Sequence, residues 1–430
     1  MKRNKSRVVA LLLSAMMAVT MAAPASASTA TYYTSDYASK AEAVQAGLDL
    51  NLRIAQEGMI LLKNNDNALP LAKGAKVTML GYAGYNPNAG ASANGGDASA
   101  GAAFAQATVV SSMTESGFEL NPAVSETYAT VTAETGAASD LDMSAAYAAV
   151  YPYWENSFAE YGDAAIVVLR SGSGDGLTHR LQFDEVQMGM IDYAAEHFEK
   201  VIVLLNNVSV MEMQALQNND KIDAILNIGE GGDNGFAAVG PTLCGEITPS
   251  GRTVDTWAVD LTQNPSYANF NVNTDANAHS VDGAGTATGY TQFVVDGQPV
   301  NTWEVGYEEG IYVGYRYYET RAYEEAKAGN DGWWSENVVY PFGYGLSYTD
   351  FAWEVTPATA ADSTVTKADT LTFDVKVTNN GTAAGKDVVQ LYYTAPYGVE
   401  ETGNETVIEK AYVALADFAK TDILQPGESQ

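Results

Sequence analysis

The chain has 430 residues, enough for two or three domains at about 150 residues each. Apolar residues make up 46% of it, whereas only 17% are charged, and 53 acidic against 22 basic side chains give a net charge of −31. A surface this acidic repels phosphate backbones and anionic lipids, which disfavours nucleic acid and membrane surfaces as partners. A single cysteine, Cys244, excludes an internal disulfide, and three widely spaced histidines disfavour a zinc site, so no cofactor is expected.

The N-terminus has the pattern of a secretory signal at residues 1–27, followed by a polar leader at 28–39. Basic residues between Lys2 and Arg7 precede an apolar run at 8–23 and the sequence Ala25-Ser-Ala, which is typical of a cleavage site. The run is shorter than the about 20 residues that a spanning helix needs. We therefore expect a bacterial-type exported protein, secreted or associated with the cell envelope. An uncleaved signal that stays as a membrane anchor is the alternative.

Residues 40–260 alternate between helical and strand patterns. Apolar residues recur at helical spacing over 40–62 and again over 183–198. Four continuous apolar runs have the pattern of strands buried on both faces: 76–81, 164–169, 200–205 and 223–228. A loop rich in Gly, Ala and Asn at 84–101 follows the first of them. This alternation predicts an α/β domain in which helices cover both faces of an open, mostly parallel sheet.

Beyond residue 260 the patterns change twice. Residues 261–362 are rich in Asn, Thr, Gly and Tyr and are interpreted as a long connector. From residue 363, apolar residues alternate with polar ones up to Val377, and Val388–Tyr393 follows a turn at 379–381, which predicts a β-hairpin. We interpret 363–430 as a truncated all-β module, because the turn at 424–427 should lead into a further strand.

The glycine-rich segment 171–176 does not match a nucleotide site. It follows a predicted strand as a dinucleotide fingerprint would, but Leu177 stands where the last glycine of G-x-G-x-x-G is needed. The phosphate-binding pattern G-x-x-x-x-G-K-[ST] and the hydrolase pattern G-x-S-x-G are both absent from the sequence. A nucleotide-binding protein is therefore a weak alternative, and it predicts a thermal shift with NAD or ATP.

Acidic residues in glycine-rich loops follow two of the predicted strands. Asp175 stands between two glycines after the strand at 164–169, and Glu230 and Asp233 follow the strand at 223–228. Open parallel sheets bind ligands beyond the carboxyl ends of their strands, and glycosidic cleavage requires a pair of carboxyl groups. Position alone favours a solvated loop aspartate at 175. For Glu230 and Asp233 we favour capping of the next helix over ligand binding.

Several separated segments resemble glycoside hydrolase family 3, the β-glucosidase and β-xylosidase family. They match its characteristic segments in order, the first of them as E-G-x-x-L-L-K-N-x-x-x-x-L-P: Glu57–Pro70, Ile247–Arg252, Tyr307–Tyr318 and Tyr340–Tyr348. Residues 375–393 and 416–429 are similar to its fibronectin type III-like module. The resemblance covers nearly the whole chain after the predicted signal and implies the fold of that family, an α/β sandwich followed by a partial fibronectin-like β-sandwich.

The resemblance implies that Asp175 is the general acid/base. The family often carries this role in an S-G-E-G-x-D-R loop, which Ser173–Gly176 matches with aspartate in place of glutamate. Leu177, Thr178 and His179 depart from the rest of that motif. Aspartate is one methylene shorter, about 1.5 Å less reach, and proton donation depends on hydrogen-bond distance. Either the loop lies closer to the substrate here, or acid catalysis is weakened.

The same resemblance places the nucleophilic aspartate in a TIM barrel, for which this chain has no room, since a barrel needs about 250 residues. Some bacterial members have the barrel last, an order that fits a signal directly before the sandwich and an end at Gln430. We therefore expect part of an exported, exo-acting β-glucosidase-like enzyme that hydrolyses terminal β-linked sugars of a glycoside or oligosaccharide by a retaining mechanism. Without the barrel, this part is expected to be inactive.

A non-catalytic carbohydrate-binding or cell-envelope protein is the second hypothesis, motivated by the departures at 177–179. The reading frame beyond Gln430 separates the two hypotheses, because the enzyme needs a barrel with a nucleophile there. A stop codon at that point would favour the binding protein.

Overall fold

The computed structural model describes residues 35–87, 107–135, 140–170, 181–269, 291–295, 298–302, 309–357, 368–395 and 409–430, with the single positions 307, 364 and 366. The predicted signal at 1–27 lies outside these residues. Within the described residues, no helix is both long and apolar enough to cross a membrane. The chain divides into two compact units, residues 1–47 and 48–430.

The described part of the first unit contains the start of helix α1 (Lys40–Gly58). The Glu42 carboxylate accepts the backbone amide of Ala38 at 2.9 Å, and the Ser39 hydroxyl accepts the amide of Glu42 at 3.1 Å. The Ser39 hydroxyl thus caps the start of α1, because it accepts an amide that has no partner inside the helix, while Glu42 holds the residue before the cap.

Six strands form the main sheet of the second unit: β1 (Ile60–Asn64), β2 (Lys76–Leu80), β3 (Glu119–Leu120), β4 (Ala164–Arg170), β5 (Val201–Asn206) and β6 (Ala224–Asn227). Their spatial order is β1–β6–β5–β4–β2–β3, with β1 antiparallel to β6 and the other neighbouring pairs parallel. The predicted open, mostly parallel sheet is confirmed. The four predicted strands agree with β2, β4, β5 and β6 to within one residue at each end.

Helices accompany both faces of this sheet: α2 (Tyr82–Tyr85), α3 (Val109–Glu115), α4 (Pro122–Thr135), α5 (Asp140–Phe158), α6 (Glu185–His197), α7 (Gln214–Gln217) and α8 (Val239–Leu243). Alternate residues of β4 face two separate apolar clusters. Val167 belongs to a cluster that contains Trp154 of α5, and Val168 belongs to one that contains Val109 of α3. Because each face is covered, the strand is apolar at nearly every position rather than at every second one.

The predicted helix at 40–62 is wrong at its C-terminal end. α1 ends at Gly58, and Ile60 and Leu61 belong to β1, where they lie opposite Asn227 and Leu226 of β6. Their apolar spacing also fits a helix, so the pattern does not separate the two states. Pairing with β6 decides for the strand, since it satisfies the backbone and buries Leu61 completely.

The segment predicted to be a connector contains elements of its own: β7 (Trp257–Ala258), β8 (Thr291–Val295), β9 (Gln298–Thr302), α9 (Tyr315–Lys327), α10 (Trp333–Asn337) and β10 (Val338–Tyr340). β10 pairs antiparallel with β7, and β8 with β9. Tyr318 of α9 is buried with Ala258 and Val338 in a small third apolar cluster. Aromatic residues thus pack α9 onto the β7–β10 ladder, a long-range contact that local patterns did not indicate.

Two small antiparallel sheets follow, β11 (Phe351–Pro357) with β12 (Phe373–Asn379) and β13 (Val388–Tyr393) with β14 (Ala414–Lys420). The predicted hairpin across 379–381 is wrong, because β12 pairs with β11 and not with β13. Asn379 gives a reason, since its side chain accepts the Thr349 hydroxyl at 2.7 Å and donates to the carbonyl of Leu424 at 2.8 Å. These bonds hold the end of β12 to two distant segments, in addition to the local turn in which Asn379 Oδ1 accepts the amide of Gly381 at 3.0 Å.

Ion pairs connect this β region to the α/β region. Arg252 Nη2 donates to Asp387 Oδ1 at 2.8 Å, and both side chains are largely buried. Glu57, near the end of α1, pairs with Lys386 and, at 2.6 Å, with Lys420. Burial alone would raise the pKa of Glu57, but the hydrogen bonds and charges of the two lysines outweigh it and hold that pKa below its ordinary value.

Candidate active site

The parallel strands β2, β4, β5 and β6 all end at one edge of the sheet. The last residues of β4 and β5, Arg170 and Asn206, lie opposite each other, and Leu205 of β5 lies opposite Asn227, the last residue of β6. The chain that follows each strand therefore starts from this edge. Ligands of open α/β sheets bind outside the carboxyl ends of the strands, so the residues at these exits are the candidates for function.

Arg170 closes β4 and has three contacts that hold it in place. Its guanidinium lies 5.4 Å from the ring centre of Tyr82, and its Nη1 donates to the carbonyl of Asn86 at 3.3 Å. Its own carbonyl accepts a hydrogen bond of 2.7 Å from Nε2 of Gln187, a buried residue of α6. Gln187 also forms a reciprocal capping box with Asp184, which fixes its position at the start of α6.

Asp175, the candidate general acid/base, lies in segment 171–180, which is outside the described residues together with Ser173 and the departing positions 177–179. The structure describes both ends of this segment, Arg170 and Leu181. Because Arg170 is the last residue of β4, the segment leaves the sheet at its carboxyl edge. The role of Asp175 stays a prediction.

The exit of β5 carries two buried amides that the sequence reasoning missed. Asn206 Nδ2 donates to the carbonyl of Gly229 at 2.6 Å, which ties the exits of β5 and β6 together. Asn207 Oδ1 accepts the backbone amide of Ser209 at 3.0 Å and so bends the chain as it leaves the strand. Two consecutive asparagines at the end of an otherwise apolar strand were the signal that would have identified this position.

The exit of β6 is a compact glycine turn. Asn227 Oδ1 accepts the amide of Gly229 at 3.0 Å, and Gly229 and Gly232 have φ values of +61° and +59°, a region that favours glycine. A Cβ on Gly231 would lie 2.7 Å from the ring of Phe236. The glycines therefore let the turn pack closely against a buried aromatic ring.

Glu230 and Asp233 lie in this turn and are half-buried. The expectation that one of them is the N-cap of the next helix is wrong, because Asn234 occupies the N-cap position of the 3-10 turn Gly235–Ala238, and its side chain makes no capping hydrogen bond. Asn51 of α1 holds the turn instead, accepting the amide of Asn234 at 2.6 Å and donating to the carbonyl of Gly231 at 3.1 Å. Glu230 and Asp233 thus lie at the exit edge, where weak candidates for substrate contact were predicted.

Aromatic side chains support the edge from one side. The Tyr85 and Tyr128 rings stack at 4.5 Å, and Tyr128 lies 5.7 Å from Trp154. The Tyr128 hydroxyl accepts the amide of Gly81, the residue after β2, at 2.7 Å. Burial raises the pKa of Tyr85, so this phenol stays neutral and donates its proton to the carbonyl of Met79 at 3.0 Å. We therefore assign this cluster a structural role at the edge and not a role as acid or base.

Carboxyl groups with raised pKa values occur elsewhere in the described chain. Burial raises the pKa of Asp255, which precedes β7, and of Glu319 in α9. Neither residue follows a strand of the parallel sheet. In the part of the chain that the structure describes, no three His, Cys, Asp or Glu side chains group as a metal site requires.

Sequence relatives were found along most of the chain. Beta-glucosidase A of Butyrivibrio fibrisolvens is 30% identical over 90% of this chain, and thermostable beta-glucosidase B of Acetivibrio thermocellus is 28% identical over 91%. These alignments cover 45% and 44% of the two relatives. The chain thus spans a little under half the length of these curated relatives.

Solved structures agree on the fold. Beta-glucosidase 3B of Thermotoga neapolitana, solved with α-D-glucose, matches 90% of this chain and 48% of its own at a TM-score of 0.65 and 23% identity. A beta-glucosidase of Paenibacillus barengoltzii matches 89% of this chain and 37% of its own at a TM-score of 0.60 and 27% identity. The family model of the glycosyl hydrolase family 3 C-terminal domain matches residues 59–315, more than half of the chain. The chain therefore belongs to glycosyl hydrolase family 3.

Proposed function

We propose that the chain is part of an exported, exo-acting β-glucosidase-like enzyme that hydrolyses terminal β-linked sugars with retention of configuration. The observation that carries this proposal is the family match over residues 59–315, together with relatives that bear the name beta-glucosidase over about 90% of the chain. The acidic surface, with a net charge of −31, suits a neutral sugar substrate better than a polyanion.

The position of Arg170, the residue before segment 171–180, supports Asp175 as the general acid/base. The segment begins after Arg170, at the carboxyl edge of the parallel sheet, where ligands of such sheets bind. Arg170 is held on its backbone by Gln187 and on its side chain by Tyr82, so the segment starts from a defined point. The glycines beside Asp175 leave space for a sugar to approach its carboxylate.

In the proposed reaction Asp175 donates a proton to the leaving oxygen and then accepts one from the attacking water. The resemblance places the nucleophilic carboxylate in a TIM barrel, and retention requires the two carboxyl groups to be roughly 5–5.5 Å apart. We propose that the barrel is a further domain of the protein and that residues 1–430 alone do not turn over substrate. Glu230 and Asp233, at the neighbouring exit of β6, are proposed as secondary contacts to the sugar.

The β region is proposed to be a fibronectin type III-like module. Its two small sheets face a groove of about 580 Å³ whose lining includes apolar residues of all four strands, such as Trp353, Val375 and Leu391, as the inner faces of a sandwich would. The ion pairs of Arg252 with Asp387 and of Glu57 with Lys386 and Lys420 support a bracing role against the α/β region.

Hydrolysis of an aryl β-glucoside tests whether activity requires a domain outside residues 1–430. The 430-residue chain and the gene product read through beyond Gln430 are purified and assayed side by side. We expect turnover by the longer protein alone. Measurable turnover by the shorter chain would overturn the proposal that a carboxylate outside it is required, and a stop codon after Gln430 would favour the non-catalytic carbohydrate-binding protein.

Replacing Asp175 tests the acid/base role in the active protein. Asp175→Asn should lower kcat by about 10²–10⁴ for substrates with poor leaving groups, because these need protonation most. Asp192→Asn, an exposed position on α6, is the matched control and should leave kcat unchanged. Full activity of Asp175→Asn would move the role to Glu230 or Asp233.

Export is tested separately by fractionation. Cells that express the complete gene should release the protein across the inner membrane with the segment 1–27 removed, which N-terminal sequencing detects. Protein with an intact N-terminus in the membrane fraction would instead favour the alternative, in which the uncleaved signal stays as a membrane anchor.

A further inference from the structure

Asn51 of α1 contacts the exit turn of β6 at two points. Its Oδ1 accepts the backbone amide of Asn234 at 2.6 Å, and its Nδ2 donates to the carbonyl of Gly231 at 3.1 Å. These partners are 183 and 180 positions away in the sequence, so only the fold brings them to Asn51. Asn51 lies outside all the segments that resemble the family.

Each of these two hydrogen bonds lies next to a carboxylate of the turn. Gly231 directly follows Glu230, and Asn234 directly follows Asp233. Because consecutive residues are joined through rigid peptide planes, anchoring these two positions restricts the backbone from which both carboxylates project. A single side chain thus acts on the placement of two acidic groups at the carboxyl edge of the sheet.

Close packing reinforces the two hydrogen bonds. A Cβ on Gly232 would lie 3.0 Å from Nδ2 of Asn51, so the amide occupies the space that a side chain there would take. The amide of Gly235 donates to the carbonyl of Gly231 at 2.7 Å, and Asn206 holds the start of the turn through the carbonyl of Gly229. The turn is therefore anchored at its start, its middle and its end.

Asn51 holds the turn without adding a charge to it. Glu230 and Asp233 are two carboxylates in one short turn of a chain whose net charge is −31. A lysine in place of the amide would form an ion pair with one of them, whereas an amide leaves both as hydrogen-bond acceptors. Hydroxyl groups of a sugar are donors as well as acceptors, so two carboxylates in a fixed arrangement suit them.

We propose that Asn51 is a positioning residue, which fixes Glu230 and Asp233 for hydrogen bonds with hydroxyl groups of the sugar. This inference deepens the proposed function and rests on it, since it concerns the secondary contacts assigned to the exit of β6. Such contacts lie away from the bond that breaks, and they therefore stabilise the ground state and the transition state alike.

The substitution Asn51→Ala removes both hydrogen bonds and is measured in the active full-length protein with an aryl β-glucoside. We expect KM to rise about 5–10-fold while kcat stays within about twofold, because loss of a contact made equally in both states weakens binding alone. Asn156→Ala is the matched control, since Asn156 donates within its own helix α5, to the carbonyl of Pro152 at 3.2 Å. An unchanged KM for Asn51→Ala would overturn the proposal.

Combination with Glu230→Gln and Asp233→Asn separates positioning from a general loss of structure. In a protein that already carries both carboxylate substitutions, Asn51→Ala should raise KM by less than about twofold, because the groups through which it acts are gone. The full rise in that background would overturn the proposal. If the two carboxylate substitutions alone leave KM unchanged, the proposed sugar contacts fail, whereas a raised KM there beside an unchanged KM for Asn51→Ala refutes only the role of Asn51.

Hydrogen exchange in the 430-residue chain shows whether the substitution acts locally. The amide of Asn234 loses its acceptor in Asn51→Ala and should exchange about fivefold faster, whereas the amide of Leu204 in the buried strand β5 should not change. If both amides exchange faster, Asn51→Asp takes its place, because it keeps the shape and the acceptor and loses only the donor to Gly231. Asn51→Asp should raise KM about threefold, and an unchanged KM would again contradict the role.

Discussion

The α/β region and the β region differ in how far the apolar residues of their strands are buried. In β4 and β5 the apolar residues are fully covered by helices on both faces, and Leu204 and Val168 have no exposed surface. In the β region, Phe418 is 68% exposed and Val355 is 56% exposed, although both lie in strands. The first region therefore holds its own core, whereas the second depends on contacts with residues outside its four strands.

The largest difference between the two regions is expected when one phenylalanine in each of them is replaced by alanine. Phe236 is 1% exposed beneath the glycine turn of β6, so Phe236→Ala should destabilise the protein by about 3–5 kcal/mol through the lost apolar burial and the cavity left behind. Phe418→Ala should change the free energy of unfolding by less than about 0.5 kcal/mol. Urea denaturation followed by far-UV circular dichroism measures both. Similar losses would mean that Phe418 is covered in solution.

Removing Asp387 should have the next largest effect. Asp387 accepts both Arg252 Nη2 and, at 2.7 Å, the indole N–H of Trp353, so Asp387→Ala leaves a largely buried arginine without its partner. A loss of about 3 kcal/mol is expected, and it should be concentrated in the β region. Hydrogen exchange resolved by segment measures this, with the exposed Asp192→Ala as control. Uniform loss of protection would contradict the view that the α/β region holds its own core.

Acid should weaken the second ionic contact. The pKa of Glu57 is lowered in the folded protein, so the folded state binds fewer protons than the unfolded one, and the stabilisation is present above the ordinary pKa and lost as the pH falls through the folded value. Because Glu57 is partly exposed, we expect about 1 kcal/mol or less. The stability difference between wild type and Glu57→Gln should shrink from neutral pH to about pH 3. A stability difference that is constant with pH would contradict the view that the charge of Glu57 stabilises the folded state. Glu115→Gln, at an exposed position at the end of α3, is the control.

The smallest expected effect is a gain in stability. Gly189 lies inside α6, where an added Cβ would have no atom within 4 Å, so Gly189→Ala should stabilise the α/β region by about 0.5 kcal/mol. Gly427 lies in the turn after β14 with φ of +83°, and Gly427→Ala should cost about 1 kcal/mol. Thermal unfolding measures both variants. We expect the unfolding temperature to rise for Gly189→Ala and to fall for Gly427→Ala.

The sequence predicted the parts of the fold that depend on burial on two faces. The runs at 164–169 and 200–205 are continuous and apolar, which is the pattern expected of strands that are covered on both faces. Ile60 and Leu61 were assigned to a helix because their partner, β6, is distant in sequence. The alternation before Asn379 identified a strand but not its partner β11, since alternation determines a face and not a neighbour.

The candidate site divides in the same way. The sequence predicted that the loops after β4 and β6 are candidate sites, because ligands of open parallel sheets bind beyond the carboxyl ends of the strands. The structure places Glu230 and Asp233 at that edge. Asn206 and Asn51 escaped notice because each acts through a backbone group far away in the sequence. Such roles become visible only when the fold has brought the partners together.

The contact of Lys420 with Glu57 has a kinetic consequence. Lys420 Nζ donates to the carbonyl of Glu57 at 3.1 Å across 363 positions of sequence. Closing a loop costs free energy that grows with the logarithm of its length, about 0.6 kcal/mol for each doubling, so contacts within the parallel sheet can form at lower cost. A chain that emerges from the ribosome N-terminus first therefore exposes the end of α1 until β14 has been synthesised, and the joint between the two regions is among the last parts of the molecule to assemble.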